Sequence, residues 1–200
     1  MHDIQIAERE LAKLDPVMRQ LILRHGTLNH APRNDYFASL SRSITGQQIS
    51  VKAAAKIFER LEQATSLDPR RVIMLTDEKI KTIGLSGQKS RYIRDLAAHF
   101  VQDSAVFNHL ESLSDDQVIL ELTRIKGIGV WTAQMFLMFT LVRLDVFAPD
   151  DAGLQQAIKK LYEIEVLPKR AELSEFAERW KPYRTVACWH LWHFLDNEPS

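Results

Sequence analysis

Apolar side chains recur along this chain at the three- and four-residue spacing of a helix, not in the alternation of a strand. Ile57, Leu61 and Ala64 make one such stripe and Ile93, Leu96, Ala97 and Phe100 another, while alternating runs are short and rare. Turn residues separate the stripes at His25-Gly26, Ala31-Pro32-Arg33-Asn34, Asp68-Pro69, Gly84 to Gly87, Gly127 to Gly129, Pro149, Pro168 and Pro182. The pattern predicts an all-α protein of about nine or ten helices joined by short loops. Its best-marked element begins at Ser114, which with Gln117 three positions on forms an N-terminal capping box. Val118, Ile119 and Leu122 give the following helix its apolar face. The string Ile125-Lys126-Gly127-Ile128-Gly129 ends it, and a second helix from Val130 carries Ala133, Leu137 and Leu141.

Composition changes this picture little. The 200 residues are 46% hydrophobic, enough to bury one medium core or two small ones. Twenty-six basic residues balance 26 acidic ones, so any polyanion partner must be met by a one-sided charge distribution or by the backbone, not by an overall basic excess. Cys188 is the single cysteine, which excludes internal disulfides, thiolate zinc clusters and four-cysteine iron–sulfur sites and fits a reducing compartment. Met1 to Glu10 mixes charged and apolar residues without the apolar run of a signal peptide or anchor; a cytoplasmic protein is expected, without a membrane partner.

The glycine hairpin is the first candidate for chemistry. Glycine at 127 and 129 lets the backbone take positive φ and lets a phosphate approach bare N–H groups at a helix N-terminus. The same pattern also suits a plain turn in which Gly127 ends a helix. Downstream, Asp150 and Asp151 follow Pro149, a combination common where a helix such as Ala152 to Tyr162 is capped. His190 and His193 are spaced for one helix face but lack a third metal ligand. Lys89, Arg91 and Arg94 offer a second basic stripe, which suits a nucleic-acid backbone or merely a solvated face.

Four blocks in order settle more than any one of them: SITGQQISVKAA at Ser43 to Ala54, KGIGVWTAQMF at Lys126 to Phe136, DVFAPDD at Asp145 to Asp151, and RWKPYRTVACWHLW at Arg179 to Trp192. Together they resemble the helix-hairpin-helix DNA glycosylases with a glycine–proline-rich loop and catalytic aspartate, and within that family the type II 3-methyladenine glycosylases of bacteria. The resemblance implies two helical domains, residues 37–143 forming the central one and residues 1–36 with 144–200 the other, with the active site in the cleft between them. It implies a compact form lacking the family's N-terminal β-domain, acting as a monomer on double-stranded DNA that contains alkylated bases. A non-catalytic DNA-binding module is the rival, but it gives no reason for Trp131, Asp151 and Trp192 to occur together.

Residue by residue, the resemblance makes Asp151 the catalytic carboxylate and leaves Asp150 as the cap. Trp131, standing where bifunctional relatives carry a Schiff-base lysine, cannot form an imine, so base removal without strand cleavage is implied. Trp131 and Trp192 would line the base pocket. Met135 and Ala152, where the bacterial type has tyrosines, would reshape it, while Trp180 and Trp189 are read as core. Gln47 and Gln48 would fill the gap left by an everted nucleotide, Gln48 replacing a leucine. Gly127, Ile128, Gly129 and Thr132 would hold the DNA backbone. The backbone carbonyls of Thr123, Ile125 and Gly127 would hold a sodium or potassium ion, with no cofactor required for the reaction.

Overall fold

The computed structural model describes residues 2–166 and 168–197. Thirteen α-helices and no strand occur among the described residues. In chain order they are α1 (His2–Leu14), α2 (Pro16–His25), α3 (Tyr36–Gly46), α4 (Val51–Thr65), α5 (Pro69–Ile73), α6 (Asp77–Ile83), α7 (Gly87–Gln102), α8 (Ser104–Phe107), α9 (Asp115–Thr123), α10 (Val130–Phe139), α11 (Ala152–Leu161), α12 (Arg170–Ala177) and α13 (Arg184–Asp196). The all-α reading holds. The extra helices are short: α5 and α8 have five and four residues, little more than one turn, too few to display a 3.6-residue period.

Two compact units form, Met1–Pro32 with Leu137–Ser200, and Arg33–Phe136. The sequence reading placed the junctions after Tyr36 and Arg143. The first boundary falls instead before α3, because Tyr36 and Phe37 are buried and the Tyr36 ring meets Phe136 edge-on at 5.6 Å, inside the second unit. The later junction falls within α10, whose last residues count with the first unit; a continuous helix carries no turn signal that would mark it.

In the Arg33–Phe136 unit, side chains at helical spacing converge on one core. Leu40 and Ile44 of α3, Phe58 and Leu61 of α4, Ile93, Leu96 and Phe100 of α7, and Leu122 of α9 are all buried. Burying each such side chain contributes about 1.5–3 kcal/mol before chain entropy is subtracted. Local signals fix the ends: Ser50, Thr76 and Ser86 each accept a backbone N–H three residues on, and the Ser114–Gln117 capping box forms as read.

The other unit is centred on Asp15. Its Oδ1 caps α2 by accepting the Val17 N–H at 2.9 Å, and its Oδ2 accepts the Tyr162 hydroxyl at 2.7 Å and the Trp180 indole N–H at 3.1 Å. Trp180 and Trp189 are buried, as expected of core aromatics. Burial raises the Cys188 thiol well above the usual range, so the lone cysteine stays protonated. No described helix is long and apolar enough to cross a membrane.

Among the described residues no cluster of three metal-binding side chains joins His190 and His193. A third ring, His25, lies 3.2 Å from His190 through their Nδ1 atoms and stacks on His193 at 4.3 Å, while His190 Nε2 lies 3.3 Å from Glu8. Burial, then His25 and His193, push His190 down to about 3, and burial with His193 and Arg24 lowers His25. Below the ordinary imidazole range the unfolded chain takes up protons that these folded histidines refuse. Stability should therefore be full above pH 6.5 and fall on acidification, by up to about 1.4 kcal/mol per pH unit from buried His190 and by less from the more exposed His25. Glu8, raised by burial, opposes this only nearer the carboxylate range. Melting temperature should be level from pH 7 to 8, fall from 6.5 to 5, and fall less in His190→Gln; identical slopes in the two proteins would remove His190 as the cause.

Candidate functional site

In the Arg33–Phe136 unit the hairpin takes the conformation its glycines allow. Gly127 has φ +87°, and a Cβ built there would lie 2.2 Å from the Tyr92 ring, so both backbone and space require glycine. The Ile128 N–H donates to the Ile125 carbonyl at 3.1 Å, closing the turn, and α10 follows. The Ile128 side chain is buried and Gly129 is exposed, so after Lys126 the turn presents main chain and no further side chain. Thr132 is only 8% exposed and lines a cavity with Trp131; the structure groups it with that cavity and not with the exposed turn.

The cavity has a volume of 480 Å³ and is bounded by Trp131, Met135, Thr132, Arg42, Gln47 and Gln48. Trp131 is 47% exposed, unusual for an indole on an otherwise apolar helix. Thus Trp131, Met135 and the glutamine pair, scattered in sequence, come together here. The glutamines differ in use. Gln47 is half-buried and donates from Nε2 to the Gly127 carbonyl at 2.8 Å, so it is tied to the hairpin and does not project as a wedge. Gln48 is exposed with φ +56°, a left-handed conformation that costs a non-glycine residue about 1–2 kcal/mol.

Two of the three basic residues on α7 are engaged by neighbouring groups of the same unit. Lys89 Nζ donates to the carbonyls of Thr45 at 2.8 Å and Gln47 at 2.6 Å, and burial holds its ammonium below the usual lysine range. Arg94 binds the Leu75 carbonyl at 2.6 Å and Asp77 at 3.1 Å. Lys89 is therefore engaged within the unit, while Arg91 remains exposed on α7. Lys126 pairs with Asp95 at 3.3 Å, and Asp95 also accepts the Lys126 backbone N–H at 2.8 Å.

The carbonyls of Ile125 and Gly127 already accept one hydrogen bond each, from Ile128 and Gln47. A carbonyl oxygen has two lone pairs, so with Thr123 they still suit a hard monovalent cation.

In the other unit, Asp151 stands at the N-terminus of α11. Asp151 itself caps the helix, its Oδ1 accepting the Leu154 N–H at 2.8 Å, while Asp150 pairs with Arg170 at 3.3 Å on the surface. This reverses the expected assignment of the cap to Asp150: the residue immediately before the first helical one has the extended backbone a cap needs, with φ −75° and ψ 116°. The same Oδ1 accepts the Trp192 indole N–H at 2.9 Å. Trp192 is half-buried beside Phe139, ring centroids 5.5 Å apart. Gly153, which no sequence signal singled out, makes this approach possible: a Cβ there would lie 3.1 Å from Asp151 Oδ1 and 3.3 Å from the indole. Ala152 is exposed on the first turn of α11. Capping and indole bonds thus converge on one oxygen, fixing the carboxylate in place.

A sequence profile described as HhH-GPD superfamily base excision DNA repair protein matches residues 41–182. Over 203 aligned residues the chain is 29% identical to the alkylbase DNA glycosidase-like protein mag2 of Schizosaccharomyces pombe, covering 95% of this chain and 93% of that one. The structure of S. pombe 3-methyladenine DNA glycosylase Mag1 in complex with abasic DNA superposes with a TM-score of 0.81 at 28% identity, over 95% of this chain and 96% of that one. The DNA-3-methyladenine glycosidase of Bacillus halodurans gives 0.83 at 36% identity, over 95% and 91%. With the hairpin and the proline-aspartate loop both inside the matched span, the chain belongs to the HhH-GPD superfamily of base excision DNA repair proteins.

Proposed function

We propose that this protein removes alkylated purines from double-stranded DNA by hydrolysing the N-glycosidic bond, without cleaving the strand. The observation that carries this reading is the fixed carboxylate of Asp151, held through Oδ1 by a backbone N–H and by the indole N–H of Trp192. A purine methylated at N3 or N7 is already cationic and needs no general acid to leave. As the C1′–N bond breaks, its electron pair neutralises the base, the sugar becomes oxocarbenium-like, and water adds to C1′ with release of a proton. An immobile anion stabilises that sugar without reorganising, and the faces of electron-rich indoles attract a cationic base by about 0.5–2 kcal/mol each.

The remaining parts have matching roles. Exposed Gln48 fills the gap left by the everted nucleotide, and weaker pairing makes a damaged base easier to extrude. The hairpin turn presents main-chain N–H groups to a phosphate. When bound at the Thr123, Ile125 and Gly127 carbonyls, a sodium or potassium ion supplies positive charge to that phosphate. Absence of lyase action is supported by Trp131, which has no amine. The names of the relatives, 3-methyladenine glycosylases among them, support the substrate class.

The test is a duplex oligonucleotide carrying one 7-methylguanine. After incubation with the protein, strand breaks should appear only following hot alkali, with free methylated base in solution. Breaks before the alkali step would contradict the hydrolysis-only reading, and no breaks after it would favour a non-catalytic DNA-binding module.

A further inference from the structure

One face of α7 holds two loops of its unit, the segment that follows α3 and the glycine hairpin. Lys89, Tyr92 and Asp95 lie three residues apart and so project from neighbouring positions on the helix. Lys89 binds the last carbonyls around the end of α3, those of Thr45 and Gln47. Tyr92 is the surface on which Gly127 rests. Asp95 holds the Lys126 N–H and ammonium. Gln47 closes the frame by donating across to the Gly127 carbonyl. Gln48, immediately after this anchored residue, sits at φ +56°, a conformation that would relax unless its neighbours prevented it.

We propose that Lys89, acting with Gln47, is a positioning residue that holds Gln48 in its left-handed, exposed conformation and ties it to the hairpin, so that phosphate grip and duplex plugging occur in one rigid frame. This rests on the reading of Gln48 as the plug. The ammonium is suited to the task. Two of its three donors are committed to carbonyls at the negative end of α3, where a cation is favoured. Its role differs from that of a phosphate contact, which would leave the ammonium facing solvent and would contribute to the salt dependence of binding.

The experiment uses the full chain and a duplex with 2-aminopurine opposite a tetrahydrofuran abasic analogue, whose fluorescence rises when the plug unstacks it. In Lys89→Met the fluorescence change should shrink at least threefold and single-turnover release of 7-methylguanine should slow about tenfold. Affinity for undamaged duplex and its salt slope should stay unchanged, because no phosphate contact is lost. Lys89→Arg, whose guanidinium can reach both carbonyls, should restore the signal. Should the methionine variant not fold, Gln47→Met tests the link from the loop side with the same expected loss. An unchanged signal in Lys89→Met overturns the proposal. So does a salt slope that falls by about one, which would place Lys89 on a phosphate, or a loss that arginine does not restore. Gln48→Ala separates the two levels. If Gln48→Ala loses the signal and Lys89→Met keeps it, the positioning role alone fails; if Gln48→Ala keeps it, the plug assignment fails and takes the proposal with it.

Discussion

Asp151→Asn should lose about a thousandfold or more in single-turnover base release while folding and binding duplex DNA as the parent does. Asparagine retains an oxygen that can accept both the Leu154 N–H and the Trp192 indole N–H, and it caps helices about as well as aspartate. Only the negative charge goes. If that charge stabilises the sugar cation, its removal costs at the upper end of the scale for preorganised electrostatic groups, about 4 kcal/mol or more in the barrier. Asp151→Ala should show the same catalytic loss and, in addition, melt lower by about 1 kcal/mol of stability from the missing cap. Asp150→Asn removes only an ion pair with Arg170 between half-exposed side chains, worth about 0–1 kcal/mol, and should excise normally. Full excision by Asp151→Asn, or a loss confined to Asp150→Asn, would assign the chemistry to another group. Rate loss that followed melting temperature through all three variants would reduce Asp151 to a cap.

The pair at 150 and 151 also shows where the sequence is legible and where it is not. That one of the two carboxylates caps α11 follows from residue type and position, since an oxygen one residue before a helix meets unsatisfied N–H groups. Which one depends on where the helix begins, and helix ends are the part of a pattern that sequence marks least. The Ser114 box and the Gly127 turn were readable because each is a local interaction closed within a few residues. Gln47 to Gly127, Lys89 to Thr45, and Trp192 to Asp151 span 80, 44 and 41 positions; no local rule links such residues, so Lys89 read as a backbone contact or a solvated lysine and Gln47 as a wedge. Gly153 was invisible for a related reason, its need for a bare Cα arising only from the indole that packs on it.

Gly127→Ala should be the most damaging single substitution in the hairpin unit. A methyl group at this position meets three Tyr92 ring atoms at 2.2–2.6 Å, well inside van der Waals contact, and the positive φ adds a further cost of about 1–2 kcal/mol for any side chain. With overpacking typically costing about 1–3 kcal/mol, the sum is comparable to much of the margin of an ordinary domain. Relief is possible only if Tyr92 moves, and that would carry away the turn's packing on α7. The displaced turn would no longer hold its main-chain N–H groups where a phosphate could meet them, so binding should suffer even in the molecules that fold. Melting should fall by several degrees, and affinity for undamaged duplex should weaken with it. Gly127→Ala combined with Tyr92→Ala separates the two costs. Removing the ring leaves room for the methyl, so the double variant should lose less than the sum of the singles. Strict additivity would show that the φ requirement alone demands glycine, and a Gly127→Ala protein with parental stability and DNA affinity would show that the turn is not packed against Tyr92 as described.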